Sequence, residues 1–211
     1  MFALIHAVTI HQLRLDIQAV HEHAKTTIAI CEEQEFAFWL AVGILYRGWV
    51  LVAQGHGEEG VAQMRQGIPP SERLMAPYLR ALLAEAHATI GQTEEGWAVL
   101  AEVLDEVGQG EGRFYAAELY RLKGELLLRQ AMTNAQQAEA CFQQALDLAR
   151  RSQAKWWELR AAMSLSRLWQ HQGRRDGARQ LLAEVYGWFT EGFDTVDLQE
   201  ARALLHELQG E

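Results

Sequence analysis

Residues 113–152 read RFYAAELYRLKGELLLRQAMTNAQQAEACFQQALDLARRS, and this stretch decides the fold. Two segments with apolar residues at helical spacing flank the short break Ala131-Met132-Thr133-Asn134. The first carries a lone small residue, Gly124. The second carries Ala138, Phe142 and Ala145, at offsets of 0, 4 and 7 that place all three on one helical stripe. A small residue on one helix facing a small-large-small stripe on the next describes an antiparallel hairpin. At an interaxial distance of ~8–10 Å, its closest contacts admit only Gly, Ala or Ser.

The same register can be laid on the chain three more times. Gly48 leads through a turn at Gly55 to Gly60, Met64 and Gly67. Ala84 leads through Gly91 to Gly96, Leu100 and Val103, and Ser166 through Gly173 to Ala178, Leu182 and Val185. The first-helix small residues stand 36, 40 and 42 positions apart, longer than the ~34 of a regular two-helix repeat. Residues 2–14 and 17–33 form a further hairpin of weaker pattern. Beyond Gly187–Thr195, Leu198, Ala201, Leu205 and Leu208 mark one face of a last helix suited to capping the array. Asp16, Thr93 and Thr133 are candidate N-caps for second helices, Ser71 for the helix after Pro69-Pro70, and Asp194 or Thr195 for the last. No segment has strand period. The expectation is an all-α solenoid, one repeat domain over 1–211. Its hairpins lie at about 1–34, 36–68, 72–108, 113–152 and 155–189, with a capping helix at about 195–209.

RFYAAELYRLKGELLLR at 113–129, AEACFQQALDLA at 138–149 and WFTEGFDT at 188–195 resemble the C-terminal tetratricopeptide region of large bacterial signalling ATPases. Those proteins have an AAA-like or STAND-type core upstream, often with an adenylate/guanylate cyclase domain. The resemblance covers most of the chain and is strongest from about residue 74. It implies a tetratricopeptide-like α-α superhelix at the C-terminal end of a longer protein, with upstream domains of the same polypeptide as one class of partner. Arg47 and Lys123 depart from the generic pattern, which prefers Leu there, and the Pro69-Pro70 loop is shorter than that family suggests. The family's phosphate loop and cyclase carboxylates have no counterpart here.

Composition agrees with helices: 49% hydrophobic, 22% charged and only three prolines. A net charge of −9 opposes binding to phosphate backbones. No apolar run reaches the ~18 residues of a membrane span, since Arg47 and two glycines interrupt 36–53, and the N-terminus is unlike a secretory signal. The cytoplasm is the expected compartment. Cys31 and Cys141 are far apart and in no CxxC, so both are read as buried packing residues.

The eight histidines include His21 and His23, two apart and on opposite helix faces, and His6 and His11, five apart; neither pair suits a shared metal ion. They are read as exposed histidines on polar faces. No nucleophile–base constellation can be assembled, so catalytic, cofactor and metal residues are all set at none and the chain is read as a non-enzyme. Core packing accounts for most of the seven tryptophans.

Inward positions of the first helices project a binding groove. Its apolar part is Val42, Leu45, Trp49 and Val52, then Tyr78, Ala81 and Glu85. Its charged part is Glu118, Arg121, Glu125 and Arg129, then Arg160, Met163, Arg167 and His171. Arg121, Arg129, Arg160 and Arg167 exceed the two local glutamates by about two charges, which suits an acidic peptide anchored by Trp49 and Tyr78. Glu118–Arg121 and Glu125–Arg129 can equally be ordinary surface pairs. The leading function is a protein-interaction and regulatory scaffold with a protein or peptide partner and no nucleic acid or membrane. The alternatives are a small-molecule effector sensor and a structural dimerisation domain that pairs through the first hairpin.

Overall fold

A computed structural model describes residues 1–68, 76–108 and 115–210. Among them are eleven α-helices and no strand. The chain divides into two compact units, 1–112 and 113–211, where the sequence reading has one unbroken array. Unit 1 holds α1 (Phe2–Leu13), α2 (Ile17–Glu33), α3 (Ala37–Ala53), α4 (Gly57–Gln66), α5 (Ala76–Thr89) and α6 (Thr93–Gly108). Unit 2 holds α7 (Ala116–Gln130), α8 (Ala135–Arg151), α9 (Lys155–His171), α10 (Arg175–Tyr186) and α11 (Val196–Gln209). Within each unit helices pack against their chain neighbours, and odd-numbered helices also touch the next odd-numbered one.

Six tight turns share one geometry. Leu15, Glu35, Gly55, Gly91, Gln153 and Gly173 each hold a left-handed backbone, with φ between 53° and 89°. The N–H of the following residue reaches back to a carbonyl five positions earlier, as in His56 N to Leu51 O at 2.9 Å and Arg174 N to Trp169 O at 2.8 Å. This closure satisfies carbonyls that the helix end would otherwise leave bare. Glycine marks three of the six; Leu15, Glu35 and Gln153 hold the same conformation with a side chain, which the sequence reading did not foresee.

Packing follows the repeat register. Met64, Leu100, Phe142 and Leu182 are each 0% exposed. The opposed small residues set how closely each hairpin closes. A Cβ on Gly48 would stand 2.6 Å from Gly60 O, and one on Gly60 would stand 2.6 Å from Gly48 O. The α5/α6 crossing accepts one methyl, Ala84, but a Cβ on Gly96 would lie 2.7 Å from Ala84 O. At α9/α10 the gap holds a hydroxyl, Ser166 Oγ donating to Ala178 O at 3.1 Å.

The caps are more varied than expected. Asp16 Oδ1 accepts from Ala19 N at 3.1 Å and caps α2. Thr93 is itself the first residue of α6. Thr133 lies in a short 3-10 turn, and Asn134 precedes α8 instead, its Nδ2 donating to Leu127 O. Thr195 precedes α11, but its hydroxyl is spent on Gly192 O at 2.7 Å. Ser71 and the Pro69-Pro70 junction lie outside the described residues.

Candidate functional site

The odd-numbered helices form one wall in each unit, and in both a ladder of polar side chains ties the wall together. Unit 1 uses neutral groups. Thr9 Oγ1 donates to Ile5 O, leaving its lone pairs to accept from Tyr46 Oη at 2.8 Å. Tyr78 Oη donates to Gln12 Oε1. Tyr46, Tyr78 and Gln12 are essentially inaccessible, so α1, α3 and α5 are pinned by buried hydrogen bonds. An unmet phenol or amide there would carry the full desolvation penalty.

Unit 2 uses charge. Arg121 Nε and Nη2 grip Glu118 at 2.9 and 2.8 Å in a forked pair. Arg160 approaches the same carboxylate at 3.5 Å and donates through Nε to Asp197 Oδ2 at 2.7 Å. Arg121 also stands 3.5 Å from Glu125, whose other contact is Ser164 Oγ at 2.6 Å. The Arg160 guanidinium lies 5.5 Å from the Trp157 ring centre. The chain Glu125–Arg121–Glu118–Arg160–Asp197 therefore crosses α7, α9 and α11, and Arg167–Glu200 at 2.8 Å adds an outer rung.

Burial sets the electrostatics. Burial alone would raise the Glu118 carboxyl, but Arg121 and Arg160 together outweigh it and hold it below the ordinary carboxylate range. Asp197 goes the other way. Burial, helped by the nearby Glu118 charge, raises it, and Arg160 only partly compensates.

This arrangement corrects the projected charge balance. The sequence offers Glu118 and Glu125 as local counter-charges; α11 contributes two more, Asp197 and Glu200. Arg121, Arg160 and Arg167 face these carboxylates, and with four carboxylates counted against the four arginines no excess of two remains. Arg121 and Arg160 are nine-tenths buried; Arg167 and Arg129 lie at the surface. The apolar part of the projected groove is also less open than drawn. Val42, Leu45, Tyr78 and Ala81 lie in the core, while Trp49 and Val52 are part-exposed.

One further expectation changes. His87 is buried, its Nδ1 2.7 Å from Gln92 Oε1, and burial pushes its imidazole down. Its position beside Gly96 and the α5/α6 crossing makes it a packing residue, not a surface one. Of the seven tryptophans only Trp157 is fully buried, and Trp188 is 58% exposed. Both cysteines are buried and free. Among the described residues no group of three or more His, Cys, Asp or Glu could hold a metal ion, and no helix is long and apolar enough to cross a membrane.

Asp197 and Glu200 were the residues hardest to find in advance. They sit in the first turns of α11, and only the packing of α11 on α9 shows that they face arginines.

No family model and no curated protein matches the chain. Solved structures do match. Bacillus thuringiensis PlcR, crystallised with the peptide PapR7 and DNA, aligns with 99% of this chain and 74% of its own length at a TM-score of 0.80 and 8% identity. BtubC from P. vanneervenii aligns with 92% of this chain and 89% of its own, at 0.63 and 12% identity. A Signal Transduction ATPase with Numerous Domains from Pyrococcus horikoshii, with a tetratricopeptide repeat sensor, aligns at 0.64 and 13% identity. The match covers 98% of this chain, which spans a third of that protein. At these identities the likeness establishes the fold: a tetratricopeptide-like helical repeat.

Proposed function

We propose that this chain is a protein-interaction and regulatory module that binds a peptide or a neighbouring domain along its odd-helix walls, and that it is not an enzyme. The observation that carries this reading is the polar ladder on each wall. Buried hydrogen bonds and ion pairs fix the spacing of successive helices, which gives a preorganised surface for a segment laid across them. The likeness to PlcR, crystallised with a peptide and DNA, supports a peptide as the ligand, and the likeness to a STAND protein with a repeat sensor supports a regulatory place within a larger signalling protein. The setting is the cytoplasm, in keeping with two free buried thiols.

In unit 2, Arg129 and Arg167 are the side chains a ligand carboxylate can reach, and Arg121 and Arg160 act behind them as positioning residues. In unit 1, Trp49 is the reachable aromatic, and Tyr78 supports the wall from within. An acidic peptide exchanges with Glu200 for Arg167, so binding weakens with salt. The test is fluorescence anisotropy of labelled acidic peptides with the wild type and with Arg129→Ala/Arg167→Ala. A loss of about tenfold, about 1.4 kcal/mol, is expected; equal affinity in both proteins would sink this wall as the docking site.

A further inference from the structure

The exposed aromatic face at one end of unit 1 belongs to neither ladder. Phe2 is 67% exposed and Phe36 45% exposed. The Phe2 ring packs edge-on against Trp39 at 6.2 Å and at a tilt against His6 at 4.4 Å, and Trp39 in turn meets Phe38 at 4.6 Å. These rings come from the first turns of α1 and α3. The α2–α3 turn lies beside them, as Met1 Sδ stands 3.8 Å from Cys31 Sγ and Phe36 N–H bonds Cys31 O.

That turn is charged against its own helix. The C-terminal end of a helix is its negative pole and favours cations. The last turn of α2 carries no basic residue; Glu32 and Glu33 occupy it, and Glu35 follows. All three are exposed, and none forms an ion pair among the described residues. A local rule is broken here without compensation inside the unit, a mark of sites kept for another purpose. The wider charge agrees. Residues 1–112 hold six Lys and Arg against fifteen Asp and Glu, so the whole net charge of −9 falls in unit 1, while residues 113–211 balance at zero.

We propose that this face docks a Lys/Arg-bearing amphipathic segment of a partner polypeptide. Its apolar side chains cover Phe2 and Phe36, and its cations sit between the ring faces and the carboxylates of Glu32, Glu33 and Glu35. Aromatic faces and carboxylates both attract ammonium and guanidinium groups, and the negative pole of α2 adds to them. A second copy fits the same face poorly. In a two-fold pairing identical patches meet, so six glutamates would confront one another with no cation on α1 or the first turn of α3 to separate them.

The inference uses neither polar ladder of the odd-helix walls, and its test leaves both ladders intact. A labelled synthetic helix of alternating Lys and Leu blocks is titrated into the full chain, with a Glu/Leu helix of the same pattern as control. The Lys/Leu helix is expected to bind and the Glu/Leu helix not to. Glu32→Gln/Glu33→Gln/Glu35→Gln should weaken binding about tenfold, and Phe36→Ser should weaken it with the charges untouched. Glu58→Gln/Glu94→Gln/Glu95→Gln removes the same charge elsewhere and should leave affinity within about twofold. Absence of binding, or equal loss in the two triple variants, overturns the proposal. So does a concentration-dependent dimer in sedimentation that Phe2→Glu converts to monomer, which would assign the face to self-association.

Discussion

Replacing Gly48 with alanine sets two of the physical terms of this fold against each other. Gly48 lies inside α3, so alanine should gain about 1 kcal/mol of helix propensity. Its Cβ, however, would stand 2.6 Å from Gly60 O and 2.8 Å from both the backbone nitrogen and the Cγ of Met64. Ordinary contact begins near 3.4 Å. Two of these three atoms are backbone, and Met64 is 0% exposed with no free volume to move into. Relief therefore requires α3 and α4 to separate by most of an ångström along a crossing that neither helix can bend around. Overpacking of this kind costs ~1–3 kcal/mol, the upper part where backbone is opposed. Against the propensity gain, a net loss of about 2 kcal/mol follows, or ~4–8 °C in melting temperature for a chain of this length. Thermal melts followed by circular dichroism at 222 nm, compared with Gly177→Ala, a helical glycine whose Cβ would meet only the Trp169 ring at 3.7 Å, measure it. An unchanged or raised melting temperature for Gly48→Ala would show that the crossing is looser than its geometry and that small residues do not set the hairpin spacing. Gly124→Leu meets the Phe142 ring at 2.4 Å from the first added carbon and should fall in the same range.

Gln153→Gly and Glu35→Gly should each stabilise the chain by about 1 kcal/mol, since both residues hold φ near +55° without a glycine; lower melting temperatures would mean their side chains contribute contacts that outweigh the backbone term. Glu118→Gln should cost about 3 kcal/mol near pH 7 by leaving Arg121 and Arg160 short of a counter-charge. The Glu118 carboxyl is held low, so its stabilisation is present above the unfolded value of about pH 4.3 and is lost as pH falls through the folded one. The gap between wild type and variant should begin to shrink below about pH 4.3; a gap that stays constant down to about pH 3 would refute the coupling. Asp197 has the opposite sign, being raised: its contribution is present below its unfolded value and lost as pH rises through the folded one.

The repeat register was legible because it rests on side-chain volume alone. Gly48, Gly60, Met64, Ala138 and Phe142 can be read as small or large without knowing what they touch, and the helical period fixes their face. Turns at Gly55, Gly91 and Gly173 were legible for a similar reason, glycine being the cheap occupant of a left-handed residue. Leu15, Glu35 and Gln153 were hidden because tertiary packing imposes that conformation on residues with no local sign of it. The site was less legible than the fold. Arg121, Arg160 and Arg167 could be placed on one wall by period, but the pairing of Arg160 and Arg167 depends on α11, which begins after an irregular segment. Tyr78 looked like a groove aromatic; only its hydroxyl, reaching Gln12 across the wall, shows that it faces inward.

Placing the whole net charge in residues 1–112 gives the two halves opposite relations to dissolved ions. Unit 1 holds itself together against the mutual repulsion of its carboxylates, and added salt relieves that repulsion by shortening its range. Unit 2 derives part of its cohesion from attraction, and its outer rung, Arg167–Glu200, lies where ions can screen it. Rising ionic strength therefore steadies one half while loosening the rim of the other. The ionic strength of the surrounding medium thus becomes a quantity the chain can register, as a shift in which of its two halves is the weaker partner in unfolding.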